Sequence, residues 1–450
     1  MSDGRLGRAA ARRLLEDALR RSEADQTEVV LAYEQSGLTR FTDNYVHQNV
    51  ADGTPTITVR AAYGTRVGIA SVVSLDRERI ARAVERATAT ARVAPPNGGF
   101  PGLPGPRREP TEVTDGPEVA ACPPEARAAI ARTACRLARD AGVSAAGSVA
   151  TTRQEIAVAN SLGVFAYTAR ASARLVVVAR GDSGSGYAQG IARESAALDA
   201  EQVARRAVAV GRRAQRPVEA PPGDYAVVLQ PEAVGDIVRF VAVVGCGAQA
   251  ASQGRSFLAG RRGQKVCSER ITMWDDGDDP AGLPLPFDFE GVPRQRLSLI
   301  DRGVAGDIAL DSFYAARMGI RTNGHAVPLA HDLYDAGPVP LHVFVAPGPA
   351  TVEEMIASTT RGLLITRFHY TRLVHPSGLV VTGMTRDGTF LIEHGELTHP
   401  VKSLRFTQSY VDALRDVSAV GRETRLTGEW LTGRVPALKI GCFGFTGATE

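Results

Sequence analysis

LLITRFHYTRLVHPSGLVVTGMTRDGTFLIEHGELTHPVKSLRFTQSY, residues 363–410, is the stretch from which the fold class can be read. Turn chemistry divides it at His375-Pro376-Ser377-Gly378, at Arg386-Asp387-Gly388 and at Glu393-His394-Gly395-Glu396. Between these breaks stand Leu379, Val380 and Val381, then Phe390, Leu391 and Ile392, the β-branched and aromatic mixture that suits a pleated, half-buried surface. The pattern predicts strands joined by tight turns, with Arg386-Asp387-Gly388 as a hairpin turn carrying a solvated charge pair.

Upstream, helices and strands share the chain. Residues 5–21 carry Leu6, Ala10, Leu14, Leu15 and Leu19 on a helical stripe. Strand-like runs follow at 28–33, 56–62 and 66–73. A helix then opens at Leu75-Asp76-Arg77-Glu78-Arg79-Ile80, with Asp76 as N-cap and Leu75 and Ile80 as a hydrophobic staple. The same opening recurs at Leu198-Asp199-Ala200-Glu201-Gln202-Val203, so the region reads as two similar α+β units. Between them PPNGGFPGLPGPRREP, residues 95–110, is too rich in proline and glycine for a helix or a central strand. A second break, RPVEAPP at 216–222, precedes a strand at 224–230. Pro231 then begins a helix, with Ala233, Ile237, Phe240, Val241 and Val244 on one face. The expected architecture is α+β: two N-terminal α+β units, 1–93 and 124–215, joined by a linker at 94–123, then a larger β-rich C-terminal domain over 223–450.

The chain has 450 residues, 44% hydrophobic and 22% charged, with a formal net charge of +3. That length calls for more than one domain, and the near-neutral charge gives no support to nucleic-acid binding. The five cysteines are widely spaced without a C-x-x-C, as expected of reduced thiols. Neither a signal peptide nor an apolar run of about 18 residues is visible, so a cytoplasmic protein without a membrane partner is expected.

Gly181-Asp182-Ser183-Gly184 copies a serine-protease nucleophile sequence, but the only upstream histidine is His47, and a glycine-serine turn is the better reading. The pairs His369/His375, His325/His331 and His394/His399 have no metal-ligand spacing. His325 closes the tight Thr322-Asn323-Gly324-His325 turn, from which a side chain could be aimed into a groove.

Residues 382–396, TGMTRDGTFLIEHGE, and 400–409, PVKSLRFTQS, resemble the C-terminal block of the TldD/TldE (PmbA) family. The stretches at 286–304, PFDFEGVPRQRLSLIDRGV, and 312–326, SFYAARMGIRTNGHA, resemble its TldE/PmbA branch. The resemblance implies a zinc peptidase subunit of TldD type paired with a TldE-type subunit. In the TldD type a helix carries H-E-x-x-x-H and a later cysteine completes the zinc ligands. Here the equivalent helix is GDIVRFVAVVG, residues 235–245. Arg239 and Phe240 stand near the His-Glu position and Val244 near the second His. Cys442 falls after residues 434–440 rather than before them.

The resemblance therefore implies a chain with no catalytic residues and no metal of its own. It would form a heterodimer or larger assembly with a zinc-bearing TldD-type partner and guide extended peptide to it. His325, His369, Tyr370, Arg372 and Arg386 are the candidate groove residues. The alternatives are a stand-alone amide hydrolase acting on a peptide-derived substrate, and a binding modulator of the DNA-gyrase-modulator kind.

Overall fold

The computed structural model describes residues 5–107, 122–329, 335–428 and 431–448. Helix α1 (Arg8–Arg20), strands β1 (Gln26–Thr42), β2 (Tyr45–Tyr63) and β3 (Arg66–Val73) and helix α2 (Arg77–Val93) make the first unit. The order then repeats with α3 (Pro124–Asp140), β4 (Ser144–Asn160), β5 (Phe165–Arg180), β6 (Ser185–Ala192) and α4 (Ala200–Arg213). The two related helix starts are built alike. Asp76 accepts from the backbone N–H of Arg79, and Asp199 from that of Gln202.

The strands are longer than the apolar runs suggest, because β1 and β2 continue as a ribbon from residue 26 to residue 63. The two units do not stand apart. Antiparallel pairing of β1 with β4 fuses them into one sheet of order β3-β2-β1-β4-β5-β6. Alternation along β1 sorts its side chains between two faces. Val29 and Leu31 face a core with α1 and α2, whereas Val30 packs with Leu285, Phe287 and Phe289 of the C-terminal half. Phe41, Leu175 and Val177 belong to a core with α3 and α4.

The C-terminal half begins with β7 (Gly223–Leu229) and α5 (Pro231–Phe240), followed by a π-helical turn at Val241–Gly245 and α6 (Ala248–Ser252). Then come β8 (Met273–Asp275), β9 (Leu297–Asp301), β10 (Val304–Ala305), α7 (Ser312–Arg317), β11 (His342–Val345) and α8 (Val352–Ala357). The quoted stretch supplies β12 (Arg361–His375), β13 (Val380–Glu393), β14 (Glu396–Pro400) and β15 (Leu404–Ser409). Helix α9 (Tyr410–Arg415), β16 (Val417–Gly428) and β17 (Thr432–Ala448) complete it. One sheet runs β10-β9-β8-β11-β17-β15-β13-β12-β7, and β7 pairs back with β17 to close a five-strand ring. Phe368, Phe406, Phe443 and Phe445 pack together in its main core, with Phe368 and Phe406 4.7 Å apart between ring centroids.

Two of the three expected turns are turns. His375 to Gly378 joins β12 to β13, and His394 and Gly395, both at positive φ, join β13 to β14. Arg386-Asp387-Gly388 is not a turn. It is a bulge inside β13, with φ 53° at Asp387 and 117° at Gly388, where the register against β12 shifts. Nor is the charge solvated. Asp387 is buried, accepts from Arg367 Nε at 2.7 Å and from the Ser185 hydroxyl at 2.6 Å, and so ties β13 to β6.

Residues 181–184 form the β5–β6 hairpin. The Ser183 hydroxyl accepts from the Arg216 backbone N–H at 2.8 Å and donates to Gln215 Oε1, which is a turn-stapling role.

Candidate functional site

Pro231 at the start of α5 supplies a preset φ, and Ala233, Ile237 and Phe240 bury one side of the helix. Its other side carries Asp236 and Arg239, three residues apart and therefore neighbours on the surface. Arg239 Nη2 donates to Asp236 Oδ1 at 3.0 Å and to Thr371 Oγ1 at 3.2 Å. The Thr371 hydroxyl donates to the same Asp236 oxygen at 2.9 Å. The other oxygen, Oδ2, accepts from the Tyr410 hydroxyl at 3.0 Å.

One carboxylate thus gathers α5, β12 and the start of α9. Burial, and then the negative charge of Asp236, push the Tyr410 phenol well above its usual range, so it stays a donor. The Arg239 guanidinium lies 4.3 Å from the centre of the Phe240 ring, and that ring meets Tyr410 edge-on at 5.8 Å.

These positions do not fit a zinc site. Arg239 is a committed cation held by two partners, and Phe240 is a buried hydrocarbon in an aromatic contact. Val244 packs against the core from the π-helical turn. None offers a lone pair to a metal. Among the described residues no group of three or more His, Cys, Asp and Glu side chains is gathered as a metal would need. Cys246 is buried, with its thiol pushed up by burial, and Cys442 is exposed on β17. Glu429 and Trp430, which stand before residues 434–440 where the family resemblance would put the late cysteine, lie outside the described residues.

The candidate groove residues divide. His369, Tyr370, Arg372 and Arg386 are neighbours on β12 and β13. His369 pairs across with Met384, Arg367 with Arg386, and the His369 and Tyr370 rings meet edge-on at 5.6 Å. Tyr370 adopts φ 56° at a second register shift, is 67% exposed, and has the Arg372 guanidinium 5.1 Å from its ring centre. Beside them Ser185, Met384, Arg386, Asp387, Ser403 and Arg405 line an open concavity of about 600 Å³. Burial, reinforced by the charges of Arg367 and Arg386, holds the His369 pKa below the usual histidine value, so the ring is neutral at neutral pH.

His325 does not join this group. It is fully buried, with Nε2 3.0 Å from Asp275 Oδ2 and Nδ1 2.9 Å from Asn323 Oδ1. Asn323 is itself fixed, accepting from the Leu310 N–H and donating to the Ile308 carbonyl. Both His325 nitrogens therefore face acceptors, which favours the doubly protonated ring. Burial outweighs this and keeps its pKa low. His325 fastens a turn to β8, which corrects its assignment to a groove. His331, the other member of its pair, lies outside the described residues.

Comparison with known proteins places the whole arrangement. Residues 222–447 match the PmbA/TldA metallopeptidase C-terminal domain, 118–214 its central domain and 27–91 its domain 1. The chain belongs to the PmbA/TldA metallopeptidase family.

A metalloprotease of Methanothermobacter thermautotrophicus is 25% identical over 233 residues, 51% of this chain and 49% of its own length. Metalloprotease PmbA of Escherichia coli O157:H7 is 26% identical over 190 residues, 41% of this chain and 39% of its own. The chain thus spans half or less of the length of these curated relatives. In structure it is similar to TldE from Thermococcus kodakarensis, with a TM-score of 0.87 at 21% identity, covering 97% of this chain and 100% of that one. A Thermotoga maritima protein carrying a DNA-gyrase-modulator label gives 0.81 at 18% identity, covering 94% and 96%. At these identities the structural likeness establishes the fold. No helix among the described residues is long and apolar enough to cross a membrane.

The sequence reading missed Asp236, Thr371 and Tyr410. The Asp236–Arg239 spacing was a usable signal for the first of them. Tyr410, 174 residues from Asp236, had none.

Proposed function

We propose that this chain is the non-catalytic, TldE-like subunit of a heteromeric zinc metallopeptidase, pairing with a TldD-type partner and guiding extended peptide to the partner's zinc. The observation that carries this reading is the Asp236–Arg239–Thr371–Tyr410 network, an ion-paired lock on the helix where a TldD-type chain would hold its metal. Hydrolysis of an amide needs a metal-bound water or an activated nucleophile. Arg239, Phe240 and Val244 supply neither. The neighbouring face of β12 and β13 suits peptide: exposed Tyr370 offers a ring, Arg372 and Arg386 offer donors, and His369 is a neutral polar group. Zinc belongs to the partner in this reading.

The test is reconstitution with a TldD-type chain. Peptide cleavage is expected only from the pair and is expected to stop on chelation. Alanine at Tyr370, Arg372 or Arg386 is expected to leave assembly intact and lower kcat/KM by about tenfold, the loss of roughly 1.4 kcal/mol of binding. Cleavage by this chain alone in chelator would refute the silent-subunit reading. Wild-type rates from every variant in an assembled complex would refute the groove.

A further inference from the structure

The face of the six-stranded sheet that points away from its helices is not sealed against the C-terminal half. Two adjoining cavities, of about 390 and 240 Å³, lie there and share Glu34, Gln154 and Arg170 in their walls. The larger is within the range of small-molecule sites. Its apolar wall comes from both halves: Val30, Ala32 and Ile156 of the sheet, and Leu285, Phe289 and Leu341 opposite. The smaller cavity is polar, with His342 and Thr432 beside Arg170.

Arg170 is the unusual group. Its Nε donates to Gln154 Oε1 at 2.7 Å, and its Nη1 is 3.3 Å from His342 Nε2. Arginine only donates, so His342 Nε2 accepts and the His342 proton sits on Nδ1. Both partners of Arg170 are therefore neutral. Burial, reinforced by the charge of Arg170 and of nearby Arg294, keeps His342 uncharged. The carboxylate on this wall, Glu34, accepts from Gln154 Nε2 at 2.6 Å and acts on Arg170 through its charge rather than by a hydrogen bond.

Among the described residues Arg170 has no ion pair and its Nη2 has no hydrogen bond. Arg294 adds positive charge from behind: its ion pair with Asp275 is long, 3.5 Å, and its three guanidinium nitrogens lack hydrogen bonds among the described residues. Burial, and then the Arg294 charge, pull the Arg170 pKa down to about 10, only partly offset by the Glu34 charge. Such a cation in a cleft with an apolar extension calls for an anion with an apolar body, and the planar guanidinium matches a carboxylate.

We propose that this cleft binds a carboxylate carrying an apolar body, with the carboxylate on the free edge of Arg170 and the body between Val30, Ile156, Leu285 and Phe289. The free acid of a small apolar molecule and the C-terminus of a peptide ending in an apolar residue share this chemistry. The site lies within one chain and owes nothing to the α5 lock or to a partner.

The experiment is calorimetric titration of the full chain alone with N-acetyl-Leu-Phe as free acid, with its C-terminal amide, and with 4-phenylbutyrate. The free acid is expected to bind about tenfold or more tightly than the amide. Arg170→Gln is expected to erase that difference, and Arg170→Lys to restore part of it. Hydrogen exchange is expected to slow in β1 and β4 when the acid binds. Tighter binding of the dipeptide acid than of phenylbutyrate assigns a peptide terminus, and the reverse assigns a small acid. Equal binding of acid and amide, or no binding of either acid at about 10 mM, a threshold near −3 kcal/mol, overturns the proposal. The acid-against-amide comparison on the unaltered chain decides even if Arg170→Gln does not fold.

Discussion

Replacing Asp236 by alanine is expected to lower the unfolding free energy by about 3 kcal/mol, read from the midpoint of a urea titration. Its carboxylate is the common acceptor for Arg239, Thr371 and Tyr410. The Tyr410 side chain is fully buried, so its hydroxyl would lose its acceptor with no water to replace it. Arg239 is partly exposed and can turn to solvent, which keeps the loss at the low end for a broken ion pair. Asp236→Asn retains an acceptor oxygen and is expected to cost about 1 kcal/mol. Combining Asp236→Ala with Tyr410→Phe is expected to cost less than the two separate losses, because the phenol stranded by the first change is deleted by the second. A loss below about 0.5 kcal/mol for Asp236→Ala, the range of ordinary surface substitutions, would mean that the network does not hold the helix.

The second large effect concerns pH. Arg60 on β2 bridges Glu28 on β1 at 3.0 Å and Glu290 of the C-terminal half at 3.1 Å, so two carboxylates share one cation across the two halves. Burial above all, moderated by Arg60 and reinforced by Glu290, raises the Glu28 pKa to about 7. A raised carboxylate pKa means that the folded chain holds the proton more tightly than the unfolded one. The resulting stabilisation is complete below the unfolded pKa of about 4.5 and is lost as pH rises through about 7.

The total pH profile mixes this with other groups: Asp288, raised to about 7, and Asp311, raised to about 6, act in the same sense, whereas low-pKa His325 and His342 act in the opposite one, gaining stability as pH rises through the usual histidine range. Asp275, held at about 2, protects above the usual aspartate range and fails only in strong acid. The difference between Glu28→Gln and the unaltered chain isolates the contribution of Glu28. Between about pH 4.5 and pH 8 that difference is expected to move in favour of the variant by on the order of 3 kcal/mol. A glutamine oxygen can still accept from Arg60, so the geometry survives. Parallel stability curves for the two chains would show that Glu28 titrates normally.

What the sequence discloses depends on how far apart the partners are. The caps at Asp76 and Asp199 close within three residues, and both helix starts were legible for that reason. The turns at 375–378 and 393–396 were legible through proline and glycine. Arg386-Asp387-Gly388 misled because a bulge and a turn ask for the same positive-φ chemistry. What distinguishes them is Arg367 and Ser185, and Ser185 lies 202 residues away. The N-terminal units could be read as similar, but their fusion rests on β1 meeting β4, which no local pattern announces. His325 looked available because its turn was visible while Asp275, 50 residues earlier, was not. The Arg170–His342 contact spans 172 residues and left no trace in either neighbourhood.

If α5 carries an ion-paired lock in place of a metal site, the metal content of the purified chain will show it. The tagged chain is purified without added metal, alone and with any TldD-type partner it captures, the subunits are separated under native conditions, and zinc is measured in each by elemental analysis. No stoichiometric zinc is expected in this chain, and zinc is expected in the partner when one is present. About one tightly held zinc per copy of this chain, which would need three or four protein ligands, would contradict it.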